Sequence, residues 1–256
     1  MIYYPKRFLF VHVPKNAGSS MKRALIRGTE PRCAKGVSRE MYRNMCKNLH
    51  NRDPLNEPLS YNIPIPPTQL IKFMNIKYET TFKEEDFFKF GVIRNPFDRA
   101  ISIYHYIMDI DTVDSDHRWV QRGSKGKRGR LPRDFLIRSM LLKKITNFEE
   151  FVRFVFGSYT FSLFCMKYGG ALHYVIKPQS YYLYNKENEL LVDYMARYEN
   201  LEEEWSFITN KIELDTKLPW INKSSRNHEK WEQYYTSEAK RIVREFFKRD
   251  FELLGY

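Results

Sequence analysis

The sequence predicts an α/β fold, a single domain over residues 1–256 with a central, mostly parallel sheet flanked by helices. Three observations predict it. Two short runs of aromatic and β-branched residues, 7–13 (RFLFVHV) and 87–93 (FFKFGVI), have the makeup of buried strands. Each is followed at once by a turn and then by helical spacing, the order expected of strand–helix units. No internal repeat and no linker divides the chain, whose length suits one α/β core.

The first strand is bounded by Pro5 and Pro14, and from Ser19 the positions of Met21, Ala24 and Leu25 follow a helical period. Gly28 with Pro31 is expected to end that helix. Residues 36–67 are polar and proline-containing, read as irregular connections around one short helix at 39–49. A helix over 68–74 precedes the second strand, and Pro96 fits the first turn of a helix running to Ile107. Residues 117–144 hold ten Lys or Arg against one acid, Asp134, and their centre, 123–130 (GSKGKRGR), has the composition of a mobile basic insertion. An amphipathic helix is expected over 148–156, strands at 174–176 and 190–195, and a helix over 201–208 opened by a capping box of Asn200 and Glu203. Helical periodicity returns over 237–247.

With 43% hydrophobic and 29% charged residues the chain is globular rather than disordered. A net charge of +12 selects anionic partners without choosing among nucleic acid, membrane, glycan and nucleotide. Cys33, Cys46 and Cys165 form neither a CxxC pair nor a metal-ligand pattern with the six His, so no metal is implied and the thiols read as free. The apolar runs are too short to span a bilayer, and the first strand begins too early to leave room for a signal peptide. A cytoplasmic protein is the expectation, with a trimmed lumenal domain as the alternative.

The chemistry concentrates at the two strand-to-helix junctions. The first reads His12-Val13-Pro14-Lys15-Asn16-Ala17-Gly18-Ser19-Ser20. A small-residue loop between strand and helix lets backbone N–H groups approach an anion, and the helix start adds unsatisfied donors and a favourable dipole. Lys15 adds a full charge, and Ser19 and Ser20 add hydroxyl donors. This is not a Walker A loop, in which the Lys follows the last Gly. A strand–turn–helix with a solvated Lys15 is the plainer alternative.

The second junction, Arg94-Asn95-Pro96-Phe97-Asp98-Arg99-Ala100-Ile101-Ser102, follows the end of the second strand, where ligands of open α/β sheets bind. Ser102 lies about two helical turns into the helix. An Arg fork and a Ser hydroxyl suit a second phosphate. The competing reading is a structural Arg94–Asp98 pair at the helix start.

Taken together, HVPKNAGSS and VIRNPFDRAIS resemble the HxPKTxGTS and VRxPxxRxxS signatures of the PAPS-dependent sulfotransferases, in particular the carbohydrate and membrane-associated branch. PAPS is 3′-phosphoadenosine 5′-phosphosulfate, and PAP is its 3′,5′-bisphosphate product. Asn16 and Ser19 stand where Thr is commoner in that family. Fainter similarity continues through Pro178-Gln179-Ser180, Arg197-Tyr198-Glu199-Asn200-Leu201, Asn222-Lys223-Ser224-Ser225-Arg226, Tyr234-Tyr235-Thr236 and Asp250-Phe251. The resemblance implies a P-loop-like sulfotransferase fold and PAPS as donor. It also implies that Lys15, Asn16, Ala17, Gly18, Ser19 and Ser20 hold the 5′-phosphosulfate, with Lys15 catalytic, and that Arg94 and Ser102 hold the 3′-phosphate. The loop at Asn222 would close over the cofactor, a polar loop between helices being the alternative.

The acceptor would be a hydroxyl, on a glycan by the same resemblance, and the basic insertion suits an anionic one. The general base is left open among His50, His105, Glu79, Glu84 and Glu85, while His12 is read as a brace for the loop. Two other classes compete with this reading. A P-loop kinase would need the Walker lysine, and a nucleic-acid-binding protein would leave both junctions unexplained and shows no recognised binding motif.

Overall fold

A computed structural model describes residues 1–3, 6–29, 67–78, 81–108, 140–159, 161, 164, 170–219 and 230–256. In chain order the elements are β1 (Ile2–Tyr3), β2 (Phe8–Val11), α1 (Gly18–Thr29), α2 (Pro67–Tyr78), β3 (Phe88–Ile93), α3 (Pro96–Met108), α4 (Phe148–Phe151), α5 (Gly170–Ile176), α6 (Ser180–Leu183), β4 (Tyr194–Arg197), α7 (Leu201–Lys211), α8 (Ser237–Phe246) and α9 (Lys248–Leu254). They fall into two compact units, Met1–Ile93 with Tyr182–Ile221, and Arg94–Tyr181 with Asn222–Tyr256.

The first unit carries a sheet of order β1-β2-β3-β4. β1 runs antiparallel to β2, whereas β2–β3 and β3–β4 are parallel, with Phe10 opposite Phe90 and Phe90 opposite Tyr194. The α/β class and the mostly parallel sheet are thus as the sequence predicts. Strand side chains alternate between faces. One face therefore gathers Phe8, Phe10, Phe90, Val92 and Ala196 into a cluster with Met21, Ala24 and Leu25 of α1 and Leu201, Trp205 and Ile208 of α7. The helical residues recur at three- and four-residue steps, which is the spacing that lines one helix face. Trp205 also donates its indole N–H to the Thr216 carbonyl at 2.9 Å, so the large ring is buried without an orphaned donor.

The second unit is built on α3. Its Phe97, Ala100, Ile101, Ile103 and Ile107 pack in one core with Phe148, Phe151, Val152, Val155, Ala239, Val243 and Phe247. Asn147 caps α4 by accepting from the Glu150 N–H at 2.9 Å, and the chain continues as a π-helical turn over Val152–Phe156. Thr236 caps α8 in the same way through the Ala239 N–H at 3.2 Å.

Three expectations are corrected. Residues 174–176 are the C-terminal part of α5 and not a strand; the Arg99 guanidinium donates to the carbonyls of Val175 and Lys177 at 3.0 and 2.9 Å, capping a helix end that its own sequence does not announce. The strand expected at 190–195 begins only at Tyr194, and Leu190 makes an isolated bridge to Tyr184. The Asn200 side chain makes no capping bond; a 3₁₀ turn over Tyr198–Asn200 leads into α7, and Glu204 rather than Glu203 reaches back, to the Tyr194 hydroxyl and the Arg197 N–H. The helix α1 ends at Thr29, between Gly28 and Pro31 as expected, and a Cβ on Gly28 would come within 3.0 Å of the Thr216 methyl, so the glycine also permits close packing there. The helix expected at 39–49, most of the basic segment 117–144, the Asn222 loop and the three cysteines lie outside the described residues. Among the described residues no helix is long and apolar enough to cross a membrane.

Candidate functional site

The predicted site residues fall into two constellations, one in each unit. In the first, β2 ends at Val11 and the chain enters a tight loop before α1 begins at Gly18. Lys15 (φ 71°) and Ala17 (φ 57°) both occupy the left-handed region. Each such non-glycine residue costs on the order of 1 kcal/mol, so the loop's shape is imposed by its surroundings. Left-handed residues in such a loop turn successive N–H groups toward a common concavity, the geometry of an anion-binding nest.

Two contacts impose that shape. The Asn16 side chain is almost fully buried and donates from Nδ2 to the Val92 carbonyl at 2.7 Å, tying the loop to the C-terminal end of β3. Its amide is thus turned into the protein, and Asn16 can serve an anion through its backbone. The second contact is between Gly18 and His12: a Cβ on Gly18 would lie 2.0 Å from His12 Cδ2 and 2.1 Å from Nε2, so only glycine fits against that ring. His12 stacks on Phe10 at 6.1 Å and is held well below the ordinary imidazole value, at about 4, first by burial and then by neighbouring positive charges, Lys22 and Lys15 among them. It is therefore a neutral wall behind the loop at neutral pH, the bracing role the sequence suggests.

The start of α1 suits an anion. Its first backbone bond runs from the Met21 N–H to the Ala17 carbonyl at 3.0 Å, which places Gly18, Ser19 and Ser20 in the turn whose N–H groups have no i−4 acceptor within the helix. Ala17 has no side chain able to cap them, and the first turn contains no acidic residue. Ser19 is exposed, whereas Ser20 is buried.

In the second unit Arg94, which follows directly on β3, is nearly buried and its Nε donates to Asp98 at 2.6 Å. The Arg94–Asp98 pair is therefore present. It does not exhaust a guanidinium, which has five N–H donors, and it fixes the direction of the fork. Asp98 is four residues from both Arg94 and Ser102, so on α3 the Arg94 partner and the Ser102 hydroxyl share a helix face one turn apart. Ser102 is half-buried. The backbone of Arg94 is held by Gln179, whose Oε1 accepts from the Arg94 N–H at 2.9 Å and whose Nε2 donates to the Arg94 carbonyl at 2.7 Å. Gln179 carried only a family likeness in the sequence, and the signal of its role, a long-range contact, is not local. Arg99 of the same motif is fully buried and serves the end of α5.

Of the candidate bases, His105 is half-buried on α3, with Tyr104 and Tyr234 edge-on at ring distances of 5.2 and 6.0 Å. Glu84 accepts from the Thr68 hydroxyl and lies 4.0 Å from Lys89 Nζ, while Glu85 is exposed in the 3₁₀ turn Glu84–Asp86. His50 and Glu79 lie outside the described residues.

Against this geometry, a family model described as the sulfotransferase family matches residues 2–256. The chain belongs to the sulfotransferase family. A search of curated proteins and a search of solved structures each returned no match. As a sulfotransferase the protein is a transferase that moves a sulfuryl group to an acceptor, and the P-loop-like strand–loop–helix of β2 and α1 is consistent with that family.

Proposed function

We propose that this sulfotransferase takes its sulfuryl group from PAPS and delivers it to a hydroxyl acceptor on a carbohydrate. The observation that carries the reading is the loop between β2 and α1, with left-handed backbone at Lys15 and Ala17, Gly18 seated on a neutral His12, and a helix start whose first turn holds no acidic residue. In this reading Lys15, the N–H groups of Asn16, Ala17 and Gly18, and the hydroxyls of Ser19 and Ser20 hold the 5′-phosphosulfate. Arg94 and Ser102 hold the 3′-phosphate.

PAPS, when bound, supplies an activated sulfuryl group and a phosphate leaving group on which negative charge grows. The protein's part at that end is electrostatic: a lysine charge and helix-start dipoles fixed in place before the reaction offset developing charge without reorganisation, commonly the largest catalytic term. No metal is required to bridge oxygens in this scheme, because Lys15 and the backbone supply the positive potential. Arg94 and Ser102 contribute by placing the nucleotide.

An anionic carbohydrate is favoured over other hydroxyl acceptors by the ten basic residues against one acid in 117–144 and by the likeness to the carbohydrate branch. The deciding test is transfer of label from ³⁵S-PAPS to a panel of sulfated and neutral oligosaccharides, tyrosyl peptides and small alcohols. Label on the anionic saccharides that vanishes with Lys15→Ala supports the reading. Transfer to peptides or small alcohols alone overturns the carbohydrate assignment, and no transfer to any acceptor overturns the donor.

A further inference from the structure

Gln179 does more than touch Arg94. Its side-chain amide forms a two-point clasp on the Arg94 backbone, accepting at 2.9 Å and donating at 2.7 Å, as a neighbouring strand would do. The clasp is itself held. The Gln179 N–H donates to Asp250 Oδ2 at 2.8 Å and the Ser180 N–H donates to Asp250 Oδ1 at 2.8 Å, so one carboxylate from the first turn of α9 fixes both backbone groups at the start of α6. Gln179, Ser180 and Asp250 are fully buried and Arg94 nearly so. Desolvating an amide and a carboxylate is costly unless each has its partners, and a core of this size could be filled by apolar residues instead. The relay ends on Arg94, a residue whose position the proposed chemistry needs.

We propose that Gln179 and Asp250 are positioning residues that set the Arg94 guanidinium for the 3′-phosphate, an inference that rests on the PAPS reading above. The clasp fixes the Arg94 Cα, and Asp98, four residues on, then fixes the direction of the side chain through Nε. With Cα and Nε both anchored, the fork is preorganised and does not have to be ordered when the nucleotide binds. Asp250 acts at one remove, since a carboxylate that accepts from two adjacent N–H groups sets the backbone from which the Gln179 side chain reaches.

The test uses Gln179→Met, which keeps the length and loses both amide bonds, and Asp250→Asn, which turns one acceptor into a donor facing an N–H. Affinities for PAP and AMP are measured by calorimetry on the full chain, together with Tm. The ratio of the two affinities isolates the 3′-phosphate, because AMP lacks it. Each variant is expected to weaken PAP on the order of tenfold while leaving AMP within about twofold, since loss of buried hydrogen bonds is felt at Arg94 alone. A fall of PAP and AMP together, or an unchanged ratio with a lowered Tm, would mean that the relay is merely structural and overturns the proposal. If one variant fails to fold, the other decides. The PAPS reading fails separately: it falls if the unsubstituted protein itself does not prefer PAP to AMP.

Discussion

Gly18 and His12 are a pair whose fit can be tested by exchange. Alanine at position 18 would place a methyl about 2 Å from the imidazole, so Gly18→Ala is expected to cost roughly 1–3 kcal/mol by overpacking. Adding His12→Ala should recover part of the loss, and urea denaturation of both single variants and the double reads this directly. The same imidazole gives the fold a pH dependence with a defined sign. Its value in the folded chain is about 4 against an ordinary 6.5, so between those limits the unfolded chain binds the extra proton. The stability that His12 contributes is therefore complete above about pH 6.5 and lost as pH falls toward 4, with a full swing on the order of 3 kcal/mol. Thermal melts from pH 7 to 4.5 should fall more steeply for the unsubstituted protein than for His12→Asn. At the reacting end, Lys15→Ala should lower kcat on the order of 10²-fold or more, as loss of a preorganised donor does, with a much smaller change in KM for the acceptor.

Two kinds of element meet at the junctions, and they were not equally legible. β2, β3, α1 and α3 follow from local pattern, because an apolar run, a small-residue turn and a helical period are all written within about twenty residues. The end of α5 was not, since Tyr174-Val175-Ile176 has strand-like composition and is held in a helix by Arg99, 76 residues away from Val175 in sequence. Arg99→Met, which keeps the stem and removes the guanidinium, is expected to destabilise by roughly 3 kcal/mol, measured by denaturant midpoint, since it strips a hydrogen bond from the buried Val175 carbonyl and another from the part-buried Lys177 carbonyl. The Asn200 capping box does not form: a 3₁₀ turn over Tyr198–Asn200 leads into α7, and it is Glu204, one residue beyond the expected Glu203, that accepts from Tyr194 and Arg197. In the candidate site the loop residues were readable one by one, whereas the inward turn of Asn16 toward Val92 and the clasp of Gln179 on Arg94 depend on partners 76 and 85 residues distant.

At the scale of the whole molecule, the charge of +12 is a statement about partners. An anionic saccharide drawn by that field should lose affinity steeply as NaCl rises from about 50 to 300 mM, as the Debye length shortens from more than 10 Å, while a neutral saccharide should be nearly indifferent. Initial rates of transfer at subsaturating acceptor read the difference. The proposed recognition of a nucleotide at both its 5′ and its 3′ phosphate is tested most directly by calorimetry with PAP, AMP and ATP in metal-free buffer. PAP is expected to bind well, AMP and ATP at least about tenfold more weakly, and Arg94→Ala to bring PAP down to the AMP level. Equal affinity of the unsubstituted protein for PAP and AMP would contradict it.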